Sequence, residues 1–494
     1  MKLFTSEQIK TWDAATIHES GITSFELMQR ACRAFVAWFT ERYDASHKIY
    51  IVCGTGNNGG DGLGIASLLH EWNYSIEVFI VRGSTTTPDF DAGLKLVAGK
   101  VKIKEVTSPQ LEIAKGSIVL DALFGTGLSR ALTGLHAEII SKLNALDVTR
   151  IAVDVPSGLR LDVSIAGEIF KADHTVTFQS PKLCFLLPQS SAFIGQWHVV
   201  DIGLSKTFVK ETKANYFLVT LKSVKRLVKP RAQFSHKGNY GHALLIAGSM
   251  GKMGAAVLAA RAALRAGVGL LTVHVPANGN VILQSAVPEA MTTHDIAPDF
   301  FSGREVESFY TAVGIGPGLG QAPETIIGFK NLLTTLLQPL VLDADALNLL
   351  ASNPELQTKI PAGSILTPHP GEFKRLVGEW LDDFDKLKKQ QALAANIKSV
   401  VVLKGAHTTI ALPDGCVYFN STGNPGMATG GSGDVLTGII TALMAQGYGT
   451  AEAAILGVYV HGLAGDLAAR EIGETALIAG DLIQYLPAAF KKLG

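Results

Sequence analysis

Charge is scarce in this 494-residue chain: 17% of its residues are Asp, Glu, Lys or Arg, and 43 basic side chains balance 43 acidic ones. That balance leaves no broad electrostatic footprint for nucleic acid or an acidic membrane surface, and neither is expected as a partner. Cysteine is scarcer still. Cys32, Cys53, Cys184 and Cys416 lie far apart, with no CxxC or Cys/His metal spacing; they read as buried thiols in a reducing compartment, which excludes a disulfide framework and a zinc site. No apolar run approaches the roughly 18 residues needed to span a bilayer. The N-terminal MKLFTSEQIKTWDAA has neither the apolar core nor the cleavage site of a signal peptide. A cytoplasmic protein is expected.

What is abundant is apolar surface and glycine: 47% of residues are hydrophobic and 51 are Gly. This suits buried parallel α/β sheets with many tight βα turns, and the length calls for two or three domains. Phe25, Met28, Cys32, Phe35, Val36 and Phe39 recur at helical spacing, so Ser24 to Arg42 is predicted as an amphipathic packing helix. KIYIVC (48–53) then reads as a buried strand running into GTGNNGGDG (54–62) and a helix. Gly54, Gly56 and Gly59 satisfy GxGxxG, but IEVFIV (76–81) is followed by Arg82 instead of the acidic residue that would hold a ribose hydroxyl. The usual dehydrogenase reading is therefore not favoured. The insert Asn57-Asn58-Gly59-Gly60-Asp61 supplies amides and a carboxylate able to hold a cation or sugar hydroxyls. SIVLD (117–121) and RIAVD (150–154) end two further strands. Ligands of open parallel sheets bind outside the carboxyl ends of strands, so Asp61, Asp121 and Asp154 are expected to share one site; each alone is more often a turn or cap residue, and it is their parallel placement that favours the site.

These first-half motifs, GTGNNGGDGL, DALFGTGL and VDVPSGL, resemble the N-terminal domain of the YjeF family, the NAD(P)H-hydrate epimerases, over about residues 1 to 205. The resemblance implies that Asn57, Asn58, Gly59, Gly60 and Asp61, the turn Gly125, Thr126, Gly127, Leu128, Ser129, Arg130 and Ala131, and Asp154 contact the hydrated nucleotide. It implies a potassium ion on Asn58, Asp121 and Ser157. Thr55 stands where the family more often has proline, and a looser turn is expected there.

A polar, basic junction follows, and the boundary is placed near residue 210. The cluster Lys222, Lys225, Arg226, Lys229 and Arg231 is read as a solvated face or edge-strand protection, not a nucleic-acid contact. Strand, turn and helix then alternate again from HALLIA (242–247) onward. The densest signal is Thr422 to Asp434, TGNPGMATGGSGD, running into the apolar VLTGIITALMA. A glycine loop opening a helix offers free N–H groups and the favourable end of the helix dipole to an anion, and Asp434 at the helix start can cap it or act as a base. His369, between two prolines and near Glu372, and Lys404, ending VVVLKG, belong to neighbouring strand exits. Of Asp343 and Asp345 in DADALN, one is expected to face a ligand and the other to cap a helix.

Together HKGNYGHALLIAGSMGKMGAA, GIGPGLG, VLDADALN, LTPHPGEF, VLKGAHT and the glycine loop resemble the C-terminal YjeF domain over residues 212 to 494, a group similar to ribokinase-like kinases that contains ADP- or ATP-dependent NAD(P)H-hydrate dehydratases. The implied arrangement is a Rossmann-like three-layer sandwich (1–210) followed by a ribokinase-like α/β domain (211–494). The adenine nucleotide, ADP or ATP with Mg²⁺, falls to Lys404, Gly405, Ala406, His407 and Thr408 and to Asn424, Gly426, Thr429, Gly430, Gly431, Ser432 and Gly433. The hydrated nicotinamide falls to Ala255, Gly318, His369 and Asp434. Asp434 is the expected base of an S-specific dehydratase, and Asp154 the acid/base candidate of an epimerase that interconverts the R and S hydrates. A homo-oligomer is expected. A small-molecule kinase fused to a nucleotide-binding domain, or a non-enzymatic nucleotide-binding scaffold, are the alternatives.

Overall fold

The computed structural model describes residues 1–494. The chain divides into two compact units, one formed in the main by Lys2–Ala214 and the other by Asn215–Leu381 with Asp385–Gly494.

In the first unit seven strands, β1 (Lys48–Cys53), β2 (Ser75–Val81), β3 (Lys102–Val106), β4 (Ile118–Ala122), β5 (Thr149–Val153), β6 (His174–Phe178) and β7 (Gln196–Val200), form one sheet in the order β3-β2-β1-β4-β5-β6-β7. Every pairing in it is parallel. Strand side chains alternate between faces. Ile49, Ile51 and Cys53 meet Met28, Phe35 and Phe39 of the helix Ser24–Thr40 and Leu63 and Ala66 of Asn57–Glu71. Tyr50 and Val52 meet Ile139, Ile140 and Leu143 of Gly134–Asn144 on the opposite face. Because both faces are covered, the central strands read as unbroken apolar runs. The strand order reverses between β1 and β4, and a ligand crevice forms at such a switch point.

The second unit is also three-layered. Its strands are β8 (Tyr216–Leu218), β9 (His242–Ile246), β10 (Leu270–Val275), β11 (Met291–His294), β12 (Ala312–Ile315), β13 (Leu340–Leu342), β14 (Ile365–Leu366), β15 (Val400–Leu403), β16 (Thr409–Ala411) and β17 (Val417–Phe419). They lie in the order β8-β17-β16-β15-β14-β13-β12-β9-β10-β11. The run from β15 to β11 is parallel throughout, and β16 pairs antiparallel with β15 and with β17. The order reverses between β9 and β12. Helices Met253–Arg265 and Ser432–Ala445 cover one face through Ala256, Ala259, Ala263, Val435 and Ile439, and Pro323–Thr335 and Asp345–Ser352 cover the other through Leu332, Leu333 and Leu347. Cys32, Cys53 and Cys184 are buried and unbridged as expected, whereas Cys416 is partly exposed. No helix is long and apolar enough to cross a membrane.

The helix Ser432–Ala445, which begins at the glycine loop, is seated by backbone contact. A Cβ on Gly438 would lie 2.1 Å from the carbonyl oxygen of Ala259. Helix propensity favours Ala over Gly by about 1 kcal/mol, but a buried overlap of that size displaces two helices, which costs about 1–3 kcal/mol or more. Gly438→Ala is therefore expected to lower stability in spite of the propensity gain. Denaturant unfolding of the second unit reads the sign; a stabilised variant would show that the helix pair yields.

Candidate functional sites

In the first unit the helix Asn57–Glu71 opens at Gly56 with no side-chain cap, so its leading N–H groups stay available. A cavity of about 650 Å³ lies against it, lined by Asn57, Asn58 and Asp61, by the whole turn Leu123 to Arg130, and by Asp154. Gly59 and Gly60 do not line it. A Cβ on Gly59 would fall 1.8 Å from the Gly54 carbonyl oxygen and one on Gly60 2.6 Å from the Met28 methyl, so close packing requires both glycines. Ala131 also stands off the cavity, with its methyl toward Gly167. Thr55 ties the turn together where a looser one was expected: its hydroxyl donates to the Thr85 carbonyl at 2.7 Å and accepts the Gly83 N–H at 3.3 Å.

Asp121 and Ser157 are fully buried beneath the cavity floor. Ser157 donates to the Asp121 carboxylate through its N–H (2.7 Å) and its hydroxyl (2.6 Å), and the same hydroxyl accepts the Phe124 N–H at 2.8 Å. Burial pushes the Asp121 carboxyl up to about 6 against those hydrogen bonds. Asn58 is buried with both its amide oxygen and its amide nitrogen unpartnered, and its side chain lies beside Gly125.

Asp154 sits at a left-handed backbone position, φ 67°, which costs a non-glycine residue about 1–3 kcal/mol and turns its carboxylate into the cavity. Thr177 Oγ1 donates to it at 2.9 Å and the Phe178 N–H at 3.1 Å. Lys182 pairs with it at 3.0 Å. Lys182 is only 2% exposed, and nothing in the spacing of PKLCF marks it. Asp13, on the helix Ser6–Ser20, and Asp89 line the same cavity and were equally invisible in the sequence. Burial, with the Asp154 charge next and Lys182 opposing, pushes Asp13 up to about 6. Burial together with Asp154, Asp13 and Asp89 holds Asp61 well above the usual carboxylate range. Carboxylates with raised proton affinity thus face one that is paired with a buried lysine, an arrangement able to give and take protons at neutral pH.

In the second unit two cavities meet. The larger, about 950 Å³, is lined by Lys404, Gly405, Ala406, His407 and Thr408, by much of the loop Thr422 to Asp434, and by His369 and His461. Asn424, Thr429, Gly431, Ser432 and Gly433 face it, while Gly426 packs on Glu474 and Gly430 points to open solvent. The smaller, about 440 Å³, is lined by Lys252, Ala255, Gly318, Asp345 and Asn348. Ala344, Glu372 and Asp434 belong to both walls. His369 lies on the larger cavity, and Ala255 and Gly318 on the smaller.

The glycine loop ends at Gly431, left-handed at φ 87°, and the helix starts at Ser432 without a side-chain cap. Asp434 is consequently not the cap but a first-turn residue, with the first-turn N–H groups beside it free of intrahelical partners. Burial and the Asp343 charge push its carboxyl up to about 7, with Lys404 opposing. Asp343, buried at the end of β13, has both oxygens engaged: Lys404 Nζ donates at 2.8 Å and Thr437 Oγ1 at 2.6 Å. Burial alone would lower the Lys404 ammonium, but Asp343 and Glu372 hold it above its ordinary value. His461, kept neutral by burial at about 4, donates from Nε2 to the Ser432 carbonyl at 2.9 Å. Asp466 accepts the Gly423 N–H and the Asn424 amide, both at 3.1 Å, and so fixes the start of the loop. Neither His461 nor Asp466 stood out in the sequence, because both lie inside the helix Thr450–Ile472 with no motif around them.

Residues 24–184 match the family described as YjeF-related protein N-terminus, and residues 243–488 match NAD(P)H-hydrate dehydratase. The second unit is similar to the ADP/ATP-dependent NAD(P)H-hydrate dehydratase of Bacillus subtilis, crystallised with ATP/Mg²⁺, at 34% identity and a TM-score of 0.51, covering 57% of this chain and all of that one. A ribokinase-like superfamily protein of Enterococcus faecalis gives 29% identity and a TM-score of 0.50, covering 57% of this chain and 98% of that one. The bifunctional NAD(P)H-hydrate repair enzymes of Moorella thermoacetica and Coxiella burnetii are 38% and 37% identical to it, over 100% and 98% of this chain and 97% and 98% of theirs. With both units matched along their length, the chain belongs to the family of bifunctional NAD(P)H-hydrate repair enzymes.

Proposed function

We propose that the two units perform consecutive steps of nicotinamide nucleotide repair: the first interconverts the R and S forms of hydrated NAD(P)H, and the second returns the S form to NAD(P)H at the expense of ADP or ATP. The observation that carries this is the wall common to the two cavities of the second unit, where Asp434 stands between a space bordered by a phosphate-binding glycine loop and a second space able to hold another molecule.

Hydroxide is a poor leaving group, and phosphorylation of the C6 hydroxyl removes that obstacle. The larger cavity takes the adenine nucleotide, with the transferring phosphoryl group on the N–H groups of Gly431 and Gly433 and beside Lys404. The smaller cavity takes the nicotinamide end of the hydrate at Ala255 and Gly318. Asp434 accepts the proton of the C6 hydroxyl, and a carboxyl near 7 suits a base at neutral pH. Mg²⁺, which is held largely by phosphates and water, would neutralise charge on the nucleotide.

In the first unit Asn58, Asp121 and Ser157 fit a potassium ion. They bring oxygens from the start of the helix Asn57–Glu71, the end of β4 and the turn after β5, the Asn58 oxygen has no partner, and the buried Asp121 carboxylate is without a cation among its hydrogen-bond partners. The ion would supply positive charge and order to that floor. Epimerisation itself falls to Asp154, paired with Lys182, which exchanges protons with the C6 hydroxyl as hydroxide leaves and re-adds. We place this repair in the cytoplasm, where ADP and NAD(P)H coexist.

Mixed epimers of hydrated NADH incubated with ADP or ATP are expected to regenerate dihydronicotinamide absorbance to completion. Conversion that stops at one epimer removes the epimerase, a stable phosphorylated end product favours the kinase alternative, and no reaction with either nucleotide sinks the proposal. Asp434→Asn is expected to lose dehydration by about 10²-fold or more while epimerisation, followed by chromatography of the two forms, survives. Since Asp434 must be ionised to act, kcat/KM for dehydration of the S form should rise with pH through about 7 and level off above it; a profile flat from pH 5 to 8 would argue against this base. Exchanging K⁺ for Li⁺ should slow epimerisation alone, and Asn58→Leu should abolish that ion dependence.

A further inference from the structure

Dehydration through a phosphorylated hydrate requires two proton removals, one at the C6 hydroxyl and one at C5. The first is from the C6 hydroxyl as its oxygen bonds to the terminal phosphorus and the bond from that phosphorus to the bridging oxygen breaks, releasing AMP from ADP or ADP from ATP. The second is from C5: the C5–H bond breaks, its electron pair forms the C5=C6 bond, and the C6–O bond breaks to release phosphate. Asp434 provides for the first, and a second proton acceptor is then required within reach.

Only Ala344, Glu372 and Asp434 line both cavities, and two of these can carry a proton. The other ionisable groups nearby are committed. Asp343 is saturated by Lys404 and Thr437. Asp345 accepts the Gly320 N–H at 2.8 Å and Lys252 at 3.2 Å on one oxygen, and Gln321 and Asn348 at 3.3 Å on the other. Burial works against its charge, yet those donors hold its carboxyl below the usual range. His369 Nδ1 accepts the N–H groups of Gly371 at 3.0 Å and Glu372 at 3.4 Å. That places the ring proton on Nε2 and leaves this imidazole a donor, not a base.

Glu372 differs from all of these. Its Oε2 accepts the His369 N–H at 2.8 Å and lies 4.0 Å from Lys404 Nζ, a looser pair than the one Lys404 makes with Asp343 at 2.8 Å. Its Oε1 faces His369 Nε2 at 3.4 Å, longer than a strong charge-assisted hydrogen bond. Burial raises its proton affinity, with the Lys404 ammonium opposing, and it is buried except where the cavities meet.

We propose that Glu372 is a second catalytic residue, the base that takes the C5 proton when the phosphorylated hydrate eliminates, with His369 Nε2–H orienting the carboxylate. The proposal rests on the phosphoryl-transfer reading given above. Glu372→Gln keeps a carbonyl oxygen for the His369 N–H and thus keeps the turn. The full-length variant is to be incubated with S-hydrated NADH and ADP or ATP while nucleotide consumption, dihydronicotinamide absorbance and product mass are followed. The expected result is uncoupling: nucleotide is consumed, a hydrate heavier by one phosphoryl group accumulates, and dihydronicotinamide formation falls about 10²-fold. In the native protein, deuterium at C5 should slow dihydronicotinamide formation without slowing first-turnover nucleotide consumption. Native-rate product from Glu372→Gln overturns the proposal. So does joint loss of nucleotide consumption and product with the native circular dichroism kept, which would assign Glu372 to the phosphoryl step. If the native protein consumes no nucleotide while dehydrating, the phosphoryl-transfer reading itself fails, and that result is separate from the others.

Discussion

The second unit is organised around one buried carboxylate. Asp343 closes β13 and binds the ammonium of Lys404, at the end of β15, and the hydroxyl of Thr437, on the helix that follows the glycine loop. Three elements remote in sequence are thereby brought to one point. Isolated, a buried carboxylate is costly; paired and fully hydrogen-bonded it becomes a fixed joint whose rupture leaves an uncompensated charge. The backbone accommodates this joint at some expense. Ala344, the next residue, is held at φ 49°, and the Asp343 carbonyl approaches Gly316 so closely that a Cβ there would lie 1.8 Å away. The same joint raises the proton affinity of Asp434, because the Asp343 charge adds to burial.

The two units solve a common problem in related ways. Each places a glycine-rich loop at a strand exit, starts a helix with a glycine instead of a capping side chain, and leaves the first N–H groups for a ligand. They differ in what stands opposite. In the first unit the counterpart is a cluster of acids with one buried lysine, which suits reversible proton exchange on an unactivated hydroxyl. In the second it is a cation beside the loop and two carboxylates of raised proton affinity, which suits group transfer followed by elimination.

The sequence was most readable where backbone demands leave few choices. β1 coincides with KIYIVC because a strand buried on both faces must be apolar throughout, and the glycine loops were visible because close approach and left-handed turns exclude side chains. The resemblance to known families then fixed the function, which spacing alone left open. Other features were not legible in the sequence. Asp13 reaches the first cavity, and Lys182 reaches Asp154, from elements that carry no motif, so only the folded chain brings them together. Thr55 was read against a proline and expected to loosen its turn, but its hydroxyl bonds replace the lost ring rigidity. Asp434 was read as able to cap its helix or to act as a base; Gly431 takes the cap position and the carboxylate lies in the first turn.

The contact between Gly438 and the Ala259 carbonyl bears on how finely Asp434 can be aimed. A helix held by interdigitating side chains inherits their rotamer freedom, and its ends wander by fractions of an ångström as those side chains hop. A helix resting on main-chain atoms has no such slack, since van der Waals radii and peptide geometry set the distance. The Asp434 carboxylate one turn upstream is accordingly positioned with the tolerance of the backbone itself, at the wall common to the two cavities.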